Sequence, residues 1–234
     1  RQMCIRDRDK PEDYSEETMT KIAKKYSKEA DSINQSRTTN LTDNTVIMVL
    51  SETFSDPTRV PGVSFAEDPM PNIRQIKSET TSGLMLSPGY GGGTANIEYQ
   101  ALTGLSMANY SDTLSIAYQQ LVPGQKWDQS LNQLWNEKNG EDSSVAFHAY
   151  NRGMYFRDIN YKKFGFSKFY ATDGTPKLTD LHPIDSAWYS SDESFYSQVL
   201  KQVQSSDSNK FYQVVTIQNH MPYEEDLYTD NQFK

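Results

Sequence analysis

With 234 residues, the chain is long enough to form one large domain with a buried core. Its 12% of aromatic residues are too many for a disordered, solvated tail, although only 35% of its residues are hydrophobic. A formal net charge of −8 argues against a nucleic-acid groove as the main surface. No apolar run approaches the roughly 20 residues that a membrane-spanning helix needs.

The first eight residues, Arg1 to Arg8, do not match the sequence that follows and resemble a translated sequencing adapter, so we leave them out of the interpretation. They contain Cys4, the one cysteine of the chain. Without it, a disulfide and a cysteine nucleophile are both excluded. We expect the remainder to be an internal piece of a longer protein, because its last residues have neither a cap nor a tail composition.

Residues 12–37 are predicted to form a helix. Apolar residues recur there at spacings of three and four, at Met19, Ile22, Tyr26, Ala30 and Ile33. Lysine and glutamate fill the other face. A surface helix packed on the domain and a helix that connects to an upstream segment would both show this pattern. A polar loop over residues 37–44 follows.

Three short apolar runs predict strands of one sheet: Thr45–Leu50, Ser144–Phe147 and Tyr212–Ile217. The first run lacks alternation, so we expect both of its faces to be buried, as in a central parallel strand. Helical patterns lie between the runs. One predicted helix face carries Trp127, Leu131, Leu134 and Trp135, and another carries Phe195, Val199, Leu200 and Val203. Strands that alternate with helices predict an α/β domain with a mostly parallel sheet flanked by helices.

Glu52, His148 and His220 each come at or just after the end of a predicted strand. In open α/β sheets, ligands bind beyond the carboxyl ends of the strands. Three polar groups at such ends therefore predict a site at this edge of the sheet. Taken singly, Glu52 would fit a turn or helix cap, and a lone histidine is more often an ordinary core or surface residue.

A run of three glycines, residues 91–93, directly precedes Thr94, and Ala95–Leu105 is predicted to be helical. Thr94 would therefore lie at a helix N-terminus, where unpaired N–H groups and the helix dipole favour an anion. An ordinary loop with Thr94 as the N-cap fits the same spacing. A nucleotide P-loop does not fit, because no Lys-Ser or Lys-Thr pair follows the glycines. We expect Asn96 and Glu98 to be packing residues or loop anchors.

Three segments, at residues 49–56, 81–99 and 218–223, together resemble the extracellular domain of lipoteichoic acid synthase. This is a phosphoglycerol transferase family within the alkaline phosphatase and sulfatase superfamily. The similarity runs from about Asn44 to the chain end. It implies that residues 9–43 form a connecting helix and loop. Residues 44–234 would then form the N-terminal part of a sulfatase-like catalytic domain that is truncated at the C-terminus.

The resemblance implies roles for the residues at the predicted edge. Glu52 matches the metal-binding glutamate of the family, and Thr94 matches the nucleophile, whose oxygen also contacts the metal. His220 matches a histidine that binds the substrate phosphate. Carboxylate, hydroxyl and imidazole ligands suit Mn²⁺, with Mg²⁺ and Zn²⁺ as alternatives.

The segment that begins at His148 resembles the part of the family that holds the glycerol phosphate headgroup. His148 and Arg157 match family positions, and Arg157 would grip phosphate oxygens with the fork of its guanidinium. Tyr155 stands where many members carry Trp. The chain differs from the family pattern at Gly93, where many members have Lys, and at Tyr150, where some members have an acidic residue. The remaining metal ligands of the family, an adjacent Asp-His pair, would come after this chain ends, so we expect the chain alone to be inactive.

The implied activity is transfer of glycerol phosphate from phosphatidylglycerol to a growing polyglycerolphosphate chain, through a phosphorylated Thr94. Alternatives within the same fold are a sulfatase-like phosphodiester hydrolase and a transferase of another headgroup. An alternative of another class is a domain that binds the polymer without turnover. The resemblance places the domain on the extracellular side of the cell membrane, held by an upstream anchor, with lipid and polymer rather than nucleic acid as partners.

Overall fold

A computed structural model of the protein describes residues 12–87, 89, 93–224 and 227–229. The predicted adapter sequence and two glycines of the predicted turn, Gly91 and Gly92, lie outside the described residues. The chain divides into two compact units, with the boundary between Asp43 and Asn44.

The first unit contains helix α1 (Glu16–Asn34). Ser15 caps its N-terminus, since the Ser15 hydroxyl accepts a hydrogen bond from the Thr18 N–H at 3.1 Å. Because the helix begins at Glu16 and ends at Asn34, it is shorter at both ends than the predicted residues 12–37. None of its residues is buried. Its exposed apolar side chains are Met19, Ile22, Tyr26 and Ile33. Within the described part of the chain, every helix is too short or too polar to cross a membrane.

Within the described residues, the second unit is built on a parallel sheet of four strands. They are β1 (Val46–Leu50), β2 (Ser144–His148), β3 (Lys168–Tyr170) and β4 (Phe211–Val215). Their spatial order is β1-β4-β2-β3, and all neighbouring strands run parallel. This confirms the predicted mostly parallel sheet. The sequence does not predict β3, because three residues are too few to show a period.

The edge strand β1 differs from the two inner strands in its burial. Every residue of β2 and β4 is buried, whereas Ile47 and Val49 of β1 are 42% and 46% exposed. The prediction that both faces of this run are buried is therefore wrong for the described chain. The reason is that only the face of β1 that carries Val46 and Met48 packs against the core.

Six helices accompany the sheet in the described part of the second unit. They are α2 (Pro71–Glu79), α3 (Thr94–Thr103), α4 (Ala117–Gln120), α5 (Gln133–Asn139), α6 (Arg157–Lys163) and α7 (Asp192–Gln204). Helix α7 confirms the predicted second helix, with Phe195 and Val199 buried. Leu200 is 50% exposed and does not share that face, because it lies about 100° further around the helix than Val199.

The predicted helix around Trp127 and Trp135 is shorter than its apolar pattern suggests. Helix α5 begins after Asn132, and Trp127 precedes it in a loop and is 61% exposed. The side chains of Ser130 and Asn132 donate hydrogen bonds to the Phe164 carbonyl at 3.0 and 2.8 Å. These bonds hold the segment in a turn and delay the start of the helix. Trp135 is fully buried.

Side chains on both faces of the sheet form cores. On one face, Ala146 of β2 and Phe211 of β4 pack with residues of α3, α4, α5 and α6. On the other face, Phe147 and Val214 pack with Phe195 of α7. Helices therefore flank the sheet on both sides, as the α/β pattern predicts.

Candidate active site

A hydroxyl and a carboxylate meet just beyond the end of β1. Glu52 is the second residue after this strand, and Thr94 is the first residue of α3. The Thr94 hydroxyl donates a hydrogen bond to Glu52 Oε1 at 2.6 Å. Glu52 and Thr94 are only 8% and 9% exposed. The structure thus brings together the predicted metal-binding glutamate and the predicted nucleophile.

The backbone around Glu52 holds its carboxylate toward Thr94. The Glu52 N–H donates to the Thr216 hydroxyl at 3.0 Å, which ties the end of β1 to the residue that follows β4. Thr53 has a positive φ of 55°, and its hydroxyl donates to Glu52 Oε1 at 3.3 Å. A non-glycine residue with such a φ is uncommon and marks a tight turn. One carboxylate oxygen therefore receives two hydroxyl donors.

Gly93 and Asn96 position Thr94 at the start of α3. Gly93 has a φ of 82°, in the left-handed region, which glycine adopts readily because it has no Cβ. The Asn96 side chain donates to the Ser115 carbonyl at 2.7 Å and accepts from the Ala117 N–H at 3.1 Å. These bonds anchor the first turn of α3. Thr94 is thus the first residue of a ten-residue helix, whose N-terminal end favours an anion.

We expect Gly93→Ala to lower the free energy of unfolding by about 1–2 kcal/mol, because alanine is strained at this left-handed φ. Lack of space is not the cause, since a Cβ on Gly93 would meet no atom closer than 3.8 Å. Chemical denaturation measures the difference. Gly153→Ala is the matched control, because Gly153 has a negative φ and open space around its Cβ position. Equal losses for both variants would contradict the backbone explanation.

Glu52 and Thr94 offer two oxygen ligands to a divalent cation. A carboxylate and a hydroxyl are hard donors, which suit Mn²⁺ or Mg²⁺. Two ligands are fewer than such an ion takes. The described residues contain no group of three or more His, Cys, Asp or Glu side chains that could hold a metal ion. The pair therefore fits part of a metal site, and a complete site needs further ligands.

His148, the last residue of β2, is 1% exposed and uses both of its ring nitrogens. Nδ1 lies 3.1 Å from the Val215 carbonyl oxygen, and Nε2 lies 3.2 Å from Arg157 Nη1. A carbonyl only accepts and a guanidinium only donates, so the proton of the neutral ring is on Nδ1. Burial lowers the pKa of His148 well below its usual value, and the charge of Arg157 lowers it further. The imidazole is therefore neutral at physiological pH.

Arg157, the first residue of α6, is paired with Glu98 of α3. Arg157 Nε donates to Glu98 Oε2 at 3.0 Å, and Nη2 donates to the same oxygen. Glu98 Oε1 accepts a hydrogen bond from the Tyr161 hydroxyl. Burial would lower the pKa of Arg157, but the charge and hydrogen bonds of Glu98, together with the nearby Tyr161 and Tyr118, raise it above its ordinary value. The guanidinium fork that the family resemblance assigns to phosphate therefore faces a carboxylate of the same chain.

The turn before α6 is strained at two consecutive residues. Tyr155 and Phe156 have φ values of 54° and 57°, which are uncommon for bulky residues. The Tyr155 ring faces the Arg157 guanidinium, with 5.3 Å between the ring centre and Cζ. Backbone strain of this kind persists where surrounding contacts demand it, often at functional sites. Here the turn brings Tyr155 to the same guanidinium that contacts His148.

His220 lies in the turn after β4, beside a cavity of about 170 Å³. Its Nδ1 donates to the Met221 carbonyl at 2.7 Å. Its ring packs edge-on against Tyr189, with 5.4 Å between the ring centres. The ring centres of Tyr189 and Tyr150 are 5.9 Å apart, and those of Tyr150 and His148 are 6.3 Å apart. A row of four aromatic rings therefore connects His220 to His148.

The predicted site residues other than His220 form two directly contacting groups, Glu52 with Thr94 and Arg157 with His148 and Tyr155. Tyr189 lies within electrostatic reach of Glu52. Burial raises the pKa of Tyr189, and the charges of Tyr150 and Glu52 raise it further. Because β1, β4 and β2 are parallel neighbours, the residues that follow them share the carboxyl edge of the sheet.

Glu98 is the residue that sequence reasoning misses. It is expected to be a packing residue or loop anchor, and it is instead the ion-pair partner of Arg157. The available signal is its position four residues after Thr94, on a helix whose neighbouring residues Tyr99 and Leu102 are buried. A carboxylate on a buried helix face requires a charged or hydrogen-bonding partner.

Comparison with known proteins identifies the class to which this chain belongs. The model of the Sulfatase family matches residues 44–234, which is more than half of the chain. The chain therefore belongs to the sulfatase family.

Three relatives illustrate the similarity. The structure of the phosphoglycerol transferase GacH of Streptococcus pyogenes, in complex with sn-glycerol-1-phosphate, matches this chain with a TM-score of 0.83 and 38% sequence identity. The match covers 93% of this chain and 55% of that chain. The lipoteichoic acid synthase LtaP from Listeria monocytogenes shares the fold, with 21% identity and a TM-score of 0.59, over 77% of this chain and 42% of that chain. A Rhizobium meliloti protein assigned to cyclic β-1,2-glucan modification is 35% identical over 190 residues. That match covers 81% of this chain and 27% of the relative. The chain thus spans between 27% and 55% of the length of these relatives.

Proposed function

We propose that this chain is part of a metal-dependent enzyme that transfers glycerol phosphate from phosphatidylglycerol to an alcohol acceptor, with Thr94 as the nucleophile. The observation that carries the proposal is the buried hydrogen bond from the Thr94 hydroxyl to Glu52 at the carboxyl edge of the sheet. The 38% identity to a phosphoglycerol transferase over 93% of this chain supports the reaction class. The first candidate for the acceptor is a growing polyglycerolphosphate chain of lipoteichoic acid.

In this proposal, Thr94 carries the transferred group. Thr94 Oγ1 loses its proton and attacks phosphorus, the bond from phosphorus to the diacylglycerol oxygen breaks, and diacylglycerol leaves with a proton. The oxygen of the acceptor alcohol then attacks the same phosphorus, loses its proton and frees Thr94, which regains one. The N-terminus of α3 favours the charge of the phosphate there. Glu52 Oε1 already accepts the Thr94 proton in a hydrogen bond.

Glu52 and Thr94 are the proposed ligands of one divalent cation. Mn²⁺ is the first candidate, with Mg²⁺ and Zn²⁺ as alternatives, because both ligand atoms are oxygens. A bound cation would neutralise part of the phosphodiester charge and make the Thr94 hydroxyl a better nucleophile. Further ligands are needed in addition to these two residues.

The headgroup contacts are proposed for four residues, His220, Tyr155, Arg157 and His148. His220 is proposed to bind the phosphate, because it lines a cavity and is partly exposed. Arg157 Nη1 is the proposed headgroup donor, since Nε and Nη2 already face Glu98. Because Nη1 contacts His148 Nε2 and the Met154 carbonyl and Arg157 is only 1% exposed, this contact would require Nη1 to leave the Met154 carbonyl. His148 uses both ring nitrogens within the chain, so its proposed part is to hold Arg157 Nη1 in place.

A second candidate for the acceptor is a sugar hydroxyl. The cavity beside His220 is lined by Trp188, Tyr189 and Tyr223 among others, and Trp188 and Tyr223 are 64% and 68% exposed. Exposed aromatic faces can pack against the C–H face of a sugar ring. The similarity to a protein assigned to glucan modification favours the same class of acceptor.

The domain organisation and location belong to the same proposal. Residues 44–234 would form the N-terminal part of the catalytic domain, and residues 9–43 would connect it to an upstream membrane anchor. The domain would then act on the extracellular side of the cell membrane. The chain has a net charge of −8, so an anionic lipid surface would repel it. In this proposal, an anchor keeps the site near its lipid donor.

An acceptor assay on the full-length protein tests the proposal. The protein is incubated with phosphatidylglycerol labelled in the headgroup and with Mn²⁺, Mg²⁺ or Zn²⁺. Each mixture contains polyglycerolphosphate, a β-glucan or neither acceptor. The proposal predicts release of diacylglycerol and label on one of the two acceptors, and the labelled acceptor decides between the candidates. Label recovered only as free glycerol phosphate would favour the hydrolase. Absence of diacylglycerol release with any of the three cations would contradict the proposal and favour a polymer-binding domain or another headgroup.

A further inference from the structure

Glu98 connects two parts of the site. It lies on α3, four residues after Thr94, and it is 1% exposed. Glu98 Oε2 accepts hydrogen bonds from Nε and Nη2 of Arg157, and Oε1 accepts one from the Tyr161 hydroxyl. The carboxylate is thus a direct contact between the helix of the proposed nucleophile and helix α6.

The Glu98–Arg157 pair is removed from solvent. The side chains of Glu98 and Arg157 are 0% and 1% exposed. Desolvation offsets most of the attraction in a buried pair, so such a pair is a poor source of stability and a better means of fixing one arrangement. Tyr161 adds a hydrogen-bond donor to the pair. Burial, and then the charge of Glu98, raise the pKa of Tyr161 well above its ordinary value, so its hydroxyl stays protonated.

The remaining nitrogen of Arg157 contacts His148. Arg157 Nη1 lies 3.2 Å from His148 Nε2, while His148 Nδ1 lies 3.1 Å from the Val215 carbonyl oxygen. Both contacts require the same tautomer, because the carbonyl only accepts and keeps the proton on Nδ1, and the guanidinium only donates and needs an unprotonated Nε2. Glu98 sets the orientation, since it holds the opposite edge of the planar guanidinium.

We propose that Glu98 is a positioning residue of this site: it orients Arg157 so that Nη1 donates to His148 Nε2, and it holds the end of β2 against the helix that begins at Thr94. The catalytic consequence rests on the proposed function, because a headgroup contact by Arg157 Nη1 would depend on Glu98. The contact between Arg157 and His148 does not rest on it.

Imidazole ¹⁵N NMR of the folded full-length protein tests the proposal without substrate. Wild-type His148 should show the neutral Nδ1–H tautomer, with well-separated Nδ1 and Nε2 chemical shifts. In Glu98→Gln, Arg157 loses its charged partner and its fixed orientation. The His148 Nε2 shift should then change, because Nε2 loses its fixed donor, while the Val215 carbonyl keeps the proton on Nδ1. Unchanged His148 shifts in folded Glu98→Gln would overturn the proposal.

Tyr99→Phe is the matched control. Tyr99 follows Glu98 on α3, is 1% exposed, and shares a hydrogen bond of 2.7 Å with the Tyr110 hydroxyl. Its replacement perturbs the same helix and leaves the bonds from Glu98 to Arg157 intact, so the His148 shifts should stay as in the wild type. Equal shift changes in Tyr99→Phe and Glu98→Gln would overturn the proposal, because they would report general loosening of α3.

A double variant covers the case in which Glu98→Gln does not fold, since that change leaves the Arg157 charge buried without a partner. Glu98→Gln combined with Arg157→Met removes both charges. The double variant should fold and show a changed His148 Nε2 shift, because the donor to Nε2 is gone. A wild-type Nε2 shift in this variant would overturn the proposal, since Nε2 would then not depend on Arg157.

The transfer assay supplies the functional measurement. For Glu98→Gln, kcat/KM should fall by about 10–100-fold, the size of effect that residues supporting a site commonly have. Glu98→Asp keeps the charge and should recover part of this loss; equal losses in the two variants would contradict a role for the charge. If the wild-type protein shows no transfer at all, the proposed function fails, while the His148 spectra still decide the role of Glu98.

Discussion

Thr94→Ala should abolish transfer by the full-length protein, with a loss of roughly 10³-fold or more in the rate of diacylglycerol release. Alanine removes the oxygen that would attack phosphorus. The adjacent Gly93 and Ala95 offer no side-chain oxygen in its place. The measurement is release of diacylglycerol from labelled phosphatidylglycerol with Mn²⁺ present.

Two further variants make this result specific. Thr94→Ser keeps the hydroxyl and loses one methyl group, so part of the activity should remain. Thr103→Ala removes a threonine hydroxyl at the other end of α3, where it donates to the Tyr99 carbonyl at 2.6 Å, and it should leave transfer near the wild-type rate. Near-normal release by Thr94→Ala would remove the nucleophile assignment and favour water as the attacking group, as in a hydrolase.

Glu52→Gln should lower the affinity for Mn²⁺ by about 100-fold or more, and transfer should fall with it. Even residues outside the ligand shell commonly change metal affinity by about 10–100-fold, so the loss of a ligand's charge should have at least the upper part of that effect. Glutamine has the same shape and still accepts the hydrogen bond from Thr94, so the change removes the charge and preserves the local packing. Calorimetric titration of the full-length protein with Mn²⁺ measures the affinity.

Glu137→Gln is the matched control for this change, because Glu137 is exposed on α5 and has the same charge. Its Mn²⁺ affinity should equal that of the wild type. Thermal unfolding without metal should show Glu52→Gln at or above wild-type stability, since a buried charge is removed. An unchanged Mn²⁺ affinity in Glu52→Gln would remove Glu52 from the proposed ligand set.

The elements that sequence reasoning predicts well are those with a clear apolar pattern. The inner strands β2 and β4 are short, mostly apolar runs and helix α7 has apolar residues at helical spacing, and the structure confirms these elements. Strand β3 has three residues and leaves no period to detect. Trp127 shows a different failure, because hydrogen bonds from Ser130 and Asn132 to a distant carbonyl override a helical apolar spacing.

The burial of β1 could not be predicted from its composition. An apolar run predicts a strand, but whether a second face is covered depends on which elements pack there. Val46 and Met48 face the core, and Ile47 and Val49 are exposed in the described chain. Sequence pattern alone does not distinguish these two pairs, because all four residues are similarly apolar.

The candidate site also combines features that the sequence predicts with one that it does not. The positions of Glu52, Thr94 and His148 in the fold could be predicted, since each lies next to a strand end or a glycine turn that the sequence makes visible, and their roles remain proposals. The pairing of Glu98 with Arg157 joins residues 59 positions apart and depends on how α3 packs against α6. The family resemblance proposes Arg157 as a phosphate ligand, but the sequence cannot show that a carboxylate faces two of its donor nitrogens.

The central claim is that Thr94 carries glycerol phosphate covalently between donor and acceptor. Mass spectrometry tests it most directly, on full-length protein quenched in acid during turnover of headgroup-labelled phosphatidylglycerol without an acceptor. We expect a peptide containing Thr94 that carries one labelled glycerol phosphate and that is absent from Thr94→Ala. Continued release of diacylglycerol with Thr94 unmodified, or label on another residue, would contradict the claim.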